Sequence, residues 1–229
     1  MSYSLVVSGT PDLNKSKQFY QNLNFTTVRQ SDESIIYSDG TCFIEVNADV
    51  YTRPGIKLIK PSWEEELEQL KGSVNVVDGK AFKVLNLPGG LWVYLCEGND
   101  TLQLPDQAPS KLGNNYGLSF ETAESKKLKK SLEVLGFNLD QGDADSSWFS
   151  MKNSDGLSVS IMAPLTCPHV FFNPSLNFFN GKENMKRIEE IRQAGVFIAE
   201  EITHFNPDGL VDNIIVRDPG GLGFFVFSD

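Results

Sequence analysis

The chain repeats itself at two separate landmarks, and this repetition constrains the fold more than any other feature. The segment Leu87–Leu95 recurs as Asp218–Val226, and both copies contain a Pro-Gly-Gly turn followed by an apolar strand. Asn22–Phe25, at the end of the first predicted helix, recurs as Val134–Phe137. Because the two landmarks occur in the same order, they indicate a duplicated domain, which 229 residues accommodate as two units of about 100 residues.

Hydrophobic periodicity predicts two modules of the same element order in the first copy, each a strand, a helix and three further strands. The first module has a predicted helix over residues 12–22, with Asp12 near its N-cap. The second has a predicted helix opened by Pro61-Ser62, with three glutamates in its first turn. The predicted strands lie near residues 4–8, 26–29, 34–38, 41–47, 56–59, 74–77, 80–86 and 91–96.

The same order restarts after residues 101–113, which carry two prolines and no periodicity and are predicted to form a linker. Helices are expected over 125–135 and 182–193, and strands near 116–121, 137–141, 148–152, 157–162, 176–179, 196–202, 212–216 and 223–227. His169–Phe172 is either an additional strand or part of a crossover. The predicted domains are residues 1–100, with modules of about 1–50 and 51–100, and residues 114–229, with modules of about 114–164 and 165–229.

The net charge of −10 argues against nucleic-acid and anionic-membrane partners, because phosphate contacts need a patch of Lys and Arg. The densest basic stretch, Lys126–Lys130, falls on a predicted helix whose pattern is that of a solvated face. No apolar run approaches the length that spans a bilayer and the N-terminus has no signal-peptide pattern, so a cytoplasmic location is expected. Cys42, Cys96 and Cys167 are widely spaced, which favours free thiols over disulfides or a metal site.

Four modules of this order, with the entry Asp12-Leu13-Asn14-Lys15-Ser16 followed by Phe19-Tyr20, resemble the vicinal oxygen chelate superfamily. That superfamily includes glyoxalase I, extradiol dioxygenases and bleomycin-resistance proteins. The turn Asp218–Gly221 is similar to the family's Asp-Pro-x-Gly turn before the last strand of a module. The resemblance covers nearly the whole chain and implies an α+β fold of two tandem domains, in which each pair of βαβββ modules forms a cup-shaped mixed sheet. The tandem form also resembles glyoxalase-domain-containing proteins.

In that family a divalent metal at the base of the cup is held by His, Gln or Glu from the first and last strands of each module. The corresponding positions here are Leu5, Glu45, Gly55 and Tyr94 in the first domain and Gly117, Ser160, Leu176 (or Ser175) and Phe225 in the second. Among them only Glu45 has a ligand-type carboxylate, and His169 and His204 match none of the positions. We therefore expect neither a metal nor another cofactor.

Glu45 is open to three interpretations: a surviving ligand, a base or cation anchor in a metal-free pocket, or an outward residue that shares a strand face with Phe43. Lys57 and Tyr94 are its candidate neighbours, although a lysine on such a strand more often points to water. Further ligand-binding candidates on cup-forming strands, with core packing as the alternative for the aromatic ones, are Trp92, Phe225 and Ser160.

The leading hypothesis is a protein of the bleomycin-resistance type that binds a small molecule without metal, with Glu45 as the catalytic candidate if it is an enzyme. One alternative is a metal-dependent lyase or dioxygenase resembling glyoxalase I. The other is a non-catalytic structural or interaction module. Because four modules can complete both cups within one chain, a monomer is favoured over a homodimer.

Overall fold

The computed structural model describes residues 2–228, and within that range sixteen β-strands and four α-helices follow one another in the predicted order. The helices are α1 (Leu13–Asn22), α2 (Glu64–Leu70), α3 (Ser125–Val134) and α4 (Asn184–Gln193). The strands of the first half are β1 (Tyr3–Gly9), β2 (Thr26–Gln30), β3 (Ser34–Ser38), β4 (Phe43–Asn47), β5 (Gly55–Lys60), β6 (Asn75–Asp78), β7 (Lys83–Asn86) and β8 (Trp92–Glu97). Those of the second half are β9 (Asn115–Glu121), β10 (Asn138–Gly142), β11 (Trp148–Lys152), β12 (Ser158–Met162), β13 (Ser175–Phe179), β14 (Ile198–Ile202), β15 (Asn213–Arg217) and β16 (Gly223–Phe227).

The strands form two eight-stranded mixed sheets, one from each half of the chain. The first has the order β2-β3-β4-β1-β5-β8-β7-β6 and the second the order β10-β11-β12-β9-β13-β16-β15-β14. The first and last strands of a module pair in parallel, as in β5 with β8, β9 with β12 and β13 with β16. A parallel pair needs a crossover connection, and the helix of the module belongs to it. The predicted α+β class and the tandem arrangement of two βαβββ pairs are confirmed.

Local sequence signals explain where the helices begin and end. The Asp12 carboxylate caps α1, because its Oδ1 accepts hydrogen bonds from the backbone N–H groups of Asn14 and Lys15 at 3.0 and 3.2 Å. The helix of the second module begins at Glu64, with Trp63 at the N-cap, and so starts later than the Pro61-Ser62 signal suggested. Likewise α4 starts at Asn184 because residues 181–183 form a separate single 3₁₀ turn.

The chain divides into two compact units whose boundaries differ from those of the two sheets. One unit contains the N-terminal residues up to Val6 together with Gly55–Gln103 and Leu118–Thr166, which are the second and third modules. The other contains Val7–Pro54, Leu104–Gly117 and the residues from Cys167 onward, which are the first and fourth modules and a connecting segment. Each unit has its own buried apolar core, formed around residues such as Val93, Leu118 and Leu128 in the first and Tyr20, Tyr37 and Phe224 in the second.

The connecting segment between β8 and β9 contains neither helix nor strand, and part of it packs in the second unit. Ser110 and Leu112 are buried there. The backbone N–H of Lys111 donates to the carbonyl of Leu23 at 2.9 Å, and its Nζ donates to the carbonyl of Asn22 at 2.6 Å. The segment predicted as a linker is therefore hydrogen-bonded to the end of α1.

The basic stretch of α3 lies on a solvated helix face, as its pattern predicts. Lys126 pairs with Asp145 at 2.5 Å and Lys127 with Glu124 at 2.8 Å. Most of the positive charge of the stretch is thus balanced by neighbouring carboxylates. Across residues 2–228, none of the helices is both long enough and apolar enough to cross a lipid bilayer.

Candidate functional site

Glu45 lies on the face of its sheet that is turned away from α1. Tyr37 marks the helix-facing side of β3, because its ring stacks on Tyr20 of α1 with centroids 4.6 Å apart. In the antiparallel ladder Tyr37 is opposite Ile44, whereas Ile36 is opposite Glu45. Since successive side chains of a strand alternate between faces, Glu45 and Ile36 point to the side away from the helix.

The Glu45 side chain is buried on that face, with only 5% of its surface exposed. The Asn47 amide donates from Nδ2 to Glu45 Oε1 at 3.0 Å. Asn47 and Phe43 share the face of Glu45 because each is two residues away on β4. A buried carboxylate requires hydrogen-bond donors or a positive charge, and the Asn47 amide is one donor that the chain supplies.

Lys57, Tyr94 and Trp92 lie on β5 and β8, the parallel pair of the second module. The register places Lys57 beside Tyr94 and Gly55 beside Trp92, so all three named side chains share one face. Tyr94 is 4% exposed, and the edge of the Phe82 ring packs against it with centroids 5.8 Å apart. An ammonium and a phenol are thus adjacent on this face.

Ser160 belongs to a row of three buried hydroxyl groups that the sequence analysis did not find as a set. On β12 it is opposite Ser150 of β11 and beside Ser119 of β9. All three side chains therefore point to the same side of the sheet. Hydroxyl groups both donate and accept hydrogen bonds, so the row is suited to a neutral polar group rather than to a metal cation.

Phe225 lies on a face of the second sheet that the chain covers with its own aromatic side chains. It packs with Ile202 and Ile215 into an apolar cluster against which Phe171 and Phe172 are placed. The Phe171 ring meets Phe225 edge to face with centroids 5.0 Å apart. Neighbouring aromatic rings of the fourth module therefore cover Phe225, which was a ligand-binding candidate.

The covering residues belong to the segment His169–Phe172, which is not part of any strand. The His169 ring lies edge to face with both Phe225 and Phe227, with centroids 5.1 Å apart in each case. The Glu200 carboxylate accepts a hydrogen bond from the backbone N–H of Val170 at 2.7 Å. This segment is thus a cover over the fourth module, held by ring contacts and a charge-assisted hydrogen bond.

The structure also resolves the register of the proposed ligand position on β13. Leu176 is beside Phe224, and Ser175 is two positions from Asn177, which is beside Phe225. Ser175, rather than Leu176, therefore shares the face of Phe225. Throughout the described part of the chain, no three His, Cys, Asp or Glu side chains are grouped closely enough to hold a metal ion. His204 is exposed and packs against the adjacent Phe205 ring.

A buried phenol and carboxylate form a polar pair that the sequence analysis missed. Tyr20 Oη donates to Asp218 Oδ2 at 2.9 Å across 198 positions of sequence, and both side chains are buried. Burial and the nearby carboxylate hold the pKa of Tyr20 well above its ordinary value. Asp218 Oδ1 also accepts from the backbone N–H groups of Gly220 and Leu222 at 2.9 and 2.8 Å. The pair therefore braces the Pro-Gly-Gly turn of the fourth module.

Comparison with solved structures identifies the fold. The homoprotocatechuate 2,3-dioxygenase of Brevibacterium fuscum, as its H200E variant, matches with a TM-score of 0.59 over 99% of this chain and 70% of its own, at 12% sequence identity. The Arthrobacter globiformis homoprotocatechuate 2,3-dioxygenase matches with a TM-score of 0.56 over 97% of this chain and 78% of its own, at 12% identity. A catechol 2,3-dioxygenase matches with a TM-score of 0.56 over 96% of this chain and 85% of its own, again at 12% identity.

No protein-family model and no curated protein matches the sequence. At 12% identity the solved structures establish the fold alone, so the function has to be argued from the residues of this chain. The chain has the vicinal oxygen chelate fold of the extradiol dioxygenases.

Proposed function

We propose that this protein binds a small organic cation on the face of the first sheet that carries Glu45, and that it does so without a metal. The observation that carries the proposal is the burial of the Glu45 carboxylate on the side of β4 away from α1. A carboxylate in such a position is a polar group within a largely apolar surface, which is the usual composition of a small-molecule site. A carboxylate on this face can form a charge-assisted hydrogen bond with a positively charged ligand group.

The donor chemistry of the chain supports the metal-free part of the proposal. The positions that correspond to the family's ligands hold Leu, Gly, Tyr, Ser and Phe in addition to Glu45. Leu, Gly and Phe have no side-chain lone pairs for a cation, and the neutral hydroxyl groups of Tyr and Ser are weak metal ligands. The described residues contain no cluster of three His, Cys, Asp or Glu side chains. These residues do not fit the divalent metal that the resemblance implies.

The first test is a thermal-shift comparison of benzylammonium, benzoate and benzyl alcohol. Because opposite charges attract, benzylammonium beside the Glu45 carboxylate should stabilise the protein and benzoate should not. A ligand at about ten times its Kd stabilises by about 1.4 kcal/mol, which corresponds to a shift of roughly 3–5 °C for a chain of this size. Glu45→Gln keeps the shape and removes the charge, so it should abolish the shift.

Glu33→Gln is the matched control, because Glu33 is an exposed glutamate that precedes β3 of the same module. It should bind benzylammonium as the unmodified protein does. Equal shifts for benzylammonium in Glu45→Gln and Glu33→Gln would reject Glu45 as the anchor. Stoichiometric divalent metal in protein purified without chelators would contradict the metal-free part and favour the lyase or dioxygenase alternative.

Tyr94 and Lys57 are proposed as further ligand-binding residues of β8 and β5. Their adjacent phenol and ammonium can hydrogen-bond an oxygen-containing group. Tyr94→Phe removes the hydroxyl and retains the ring that packs on Phe82. A ligand that uses the phenol should lose about threefold to tenfold in affinity in this variant, measured by calorimetric titration.

A further inference from the structure

The first compact unit contains a cavity of about 160 Å³. Glu45, Lys57 and Tyr94, the residues of the proposed function, are not among the residues that line it. It lies where the end of β5 and the start of α2 meet the residues that follow α3 and β11. Its wall combines an aromatic ring, apolar groups and charged groups, among them Lys60, Trp63, Glu66, Leu135, Asn153 and Asp155. Such a mixture of apolar wall and few polar groups is characteristic of ligand sites, on a scale that admits only a small molecule.

Trp63 is the buried aromatic wall of this cavity, with 5% of its surface exposed. Its indole N–H donates to the carbonyl of Cys96 at 2.9 Å, which fixes the ring orientation. Lys60 Nζ lies 4.4 Å from the ring centroid and 2.5 Å from Glu66 Oε1. One ammonium group of the chain itself is therefore already held by the ring and carboxylate of this wall.

The second oxygen of the Glu66 carboxylate has no such partner. Glu66 Oε2 is buried and accepts no hydrogen bond from the residues that the structure describes. A buried acceptor without a donor is unfavourable, so a turn of the Glu66 side chain that brings this oxygen to a donor in the cavity is favoured.

The remaining charge of the cavity wall is negative. Asp155 accepts hydrogen bonds from the hydroxyl groups of Ser2 and Ser4 at 2.7 and 2.9 Å, both neutral donors. Among the described residues of the wall, Lys60 balances one of the two carboxylates, Glu66 and Asp155, and an excess of one negative charge remains. A cation is therefore preferred over an anion or a neutral molecule.

We propose that this cavity is a binding site for a small primary ammonium or guanidinium compound, whose N–H groups donate to the Glu66 carboxylate while Asp155 supplies the second negative charge. The cavity volume of about 160 Å³ equals the share of roughly five water molecules in the liquid, so the ligand is limited to a short amine or guanidine. The same cavity filled by water alone is the competing outcome.

The test uses the Trp63 indole N–H as a reporter. The chain has three tryptophans, so a ¹H–¹⁵N spectrum contains three indole signals, and Trp63→Phe identifies the one that matters. Titration with n-butylammonium should shift this signal saturably at millimolar concentration. The isosteric alcohol n-butanol and NaCl at equal ionic strength should leave it in place.

Glu66→Gln removes the negative charge of the Glu66 carboxylate and should weaken butylammonium binding by about tenfold or more. Glu65→Gln, an exposed neighbour on the same helix, is the matched control and should bind with unchanged affinity. Glu45→Gln should also bind unchanged, which separates this site from the proposed function. No saturable shift, or equal affinity in Glu66→Gln and Glu65→Gln, would overturn the proposal and leave a water-filled cavity.

Discussion

Two stacked tyrosines in the second unit provide a matched test of how its buried polar groups are satisfied. The rings of Tyr20 and Tyr37 lie 4.6 Å apart and neither side chain is exposed. Tyr20 Oη donates to Asp218 Oδ2, whereas Tyr37 Oη has no hydrogen-bond partner among the described residues. Tyr20→Phe and Tyr37→Phe therefore remove the same atom from similar packing, with and without a hydrogen bond.

The two changes should act on stability with different signs. Tyr20→Phe removes one donor from a buried carboxylate, and a hydrogen bond to a charged group contributes about 1.5–3 kcal/mol, so we expect a loss of about 2 kcal/mol in the free energy of unfolding. Tyr37→Phe removes a buried hydroxyl whose desolvation no partner offsets. Its free energy of unfolding should be unchanged or up to about 1 kcal/mol higher.

The loss in Tyr20→Phe should also depend on pH. Burial raises the pKa of Asp218 above its ordinary value, although hydrogen bonds from Ser8, Tyr20 and the turn amides lower it. A raised pKa in the folded state means that the stabilising contribution is complete below the ordinary value of 3.8 and is lost as pH rises through the folded-state pKa. Removing the Tyr20 donor raises this pKa further, so the variant loses more stability at pH 7 than at pH 4.

Urea denaturation followed by far-ultraviolet circular dichroism at both pH values measures these differences. Asp218→Asn is the control for the pH effect, because it keeps an acceptor for the turn amides and cannot ionise. The reasoning is refuted if Tyr37→Phe lowers the free energy of unfolding as much as Tyr20→Phe does. A loss in Tyr20→Phe that is equal at pH 4 and pH 7 would refute the electrostatic part.

Two further pairs of variants test the turns and the covered face. In Gly220→Ala the new Cβ would lie 1.5 Å from the carbonyl oxygen of Gly9, so urea denaturation should show a loss of about 3 kcal/mol or more in the free energy of unfolding. In Gly90→Ala the new Cβ meets no atom within 4 Å. This variant should lose only about 1–2 kcal/mol, because its φ of +96° is unfavourable for alanine. Similar losses in both would contradict the close approach. Phe172→Ala should uncover the apolar face of the fourth module and increase the fluorescence of added anilinonaphthalene sulfonate, and Leu165→Ala, at an exposed site seven residues earlier in the chain, should not. An equal increase in both variants would contradict the role of the cover.

The fold was largely predictable because its signals are local and repeated. The strands over 34–38, 148–152 and 223–227 have the predicted bounds, since short runs rich in apolar residues between polar turns define them. Asp12 was predicted near the N-cap of α1 for the same reason, as a short polar side chain before a periodic apolar run. Four weak patterns of this kind in one order indicate an architecture that none of them indicates alone.

The contacts that shape the sites were not predictable in the same way. The register of β13 decides between Leu176 and Ser175, and a shift of one residue moves a side chain to the other face. The cavity beside Trp63 depends on segments that are distant in sequence, and so does the hydrogen bond between Tyr20 and Asp218. Helical or strand periodicity does not specify partners across such separations.

The two Pro-Gly-Gly turns show why the repeat preserves shape better than chemistry. In the fourth module the N–H of Gly220 donates a hydrogen bond to the carboxylate of Asp218, two residues before it. In the second module Leu87 takes the place of Asp218. The equivalent N–H of Gly89 donates a hydrogen bond at 3.0 Å to the carboxylate of Glu124, which belongs to another module. Both turns meet the same backbone requirement with carboxylates of different origin. Because backbone requirements define the fold and allow different side chains to satisfy them, a shared fold leaves the chemistry of each face free to diverge.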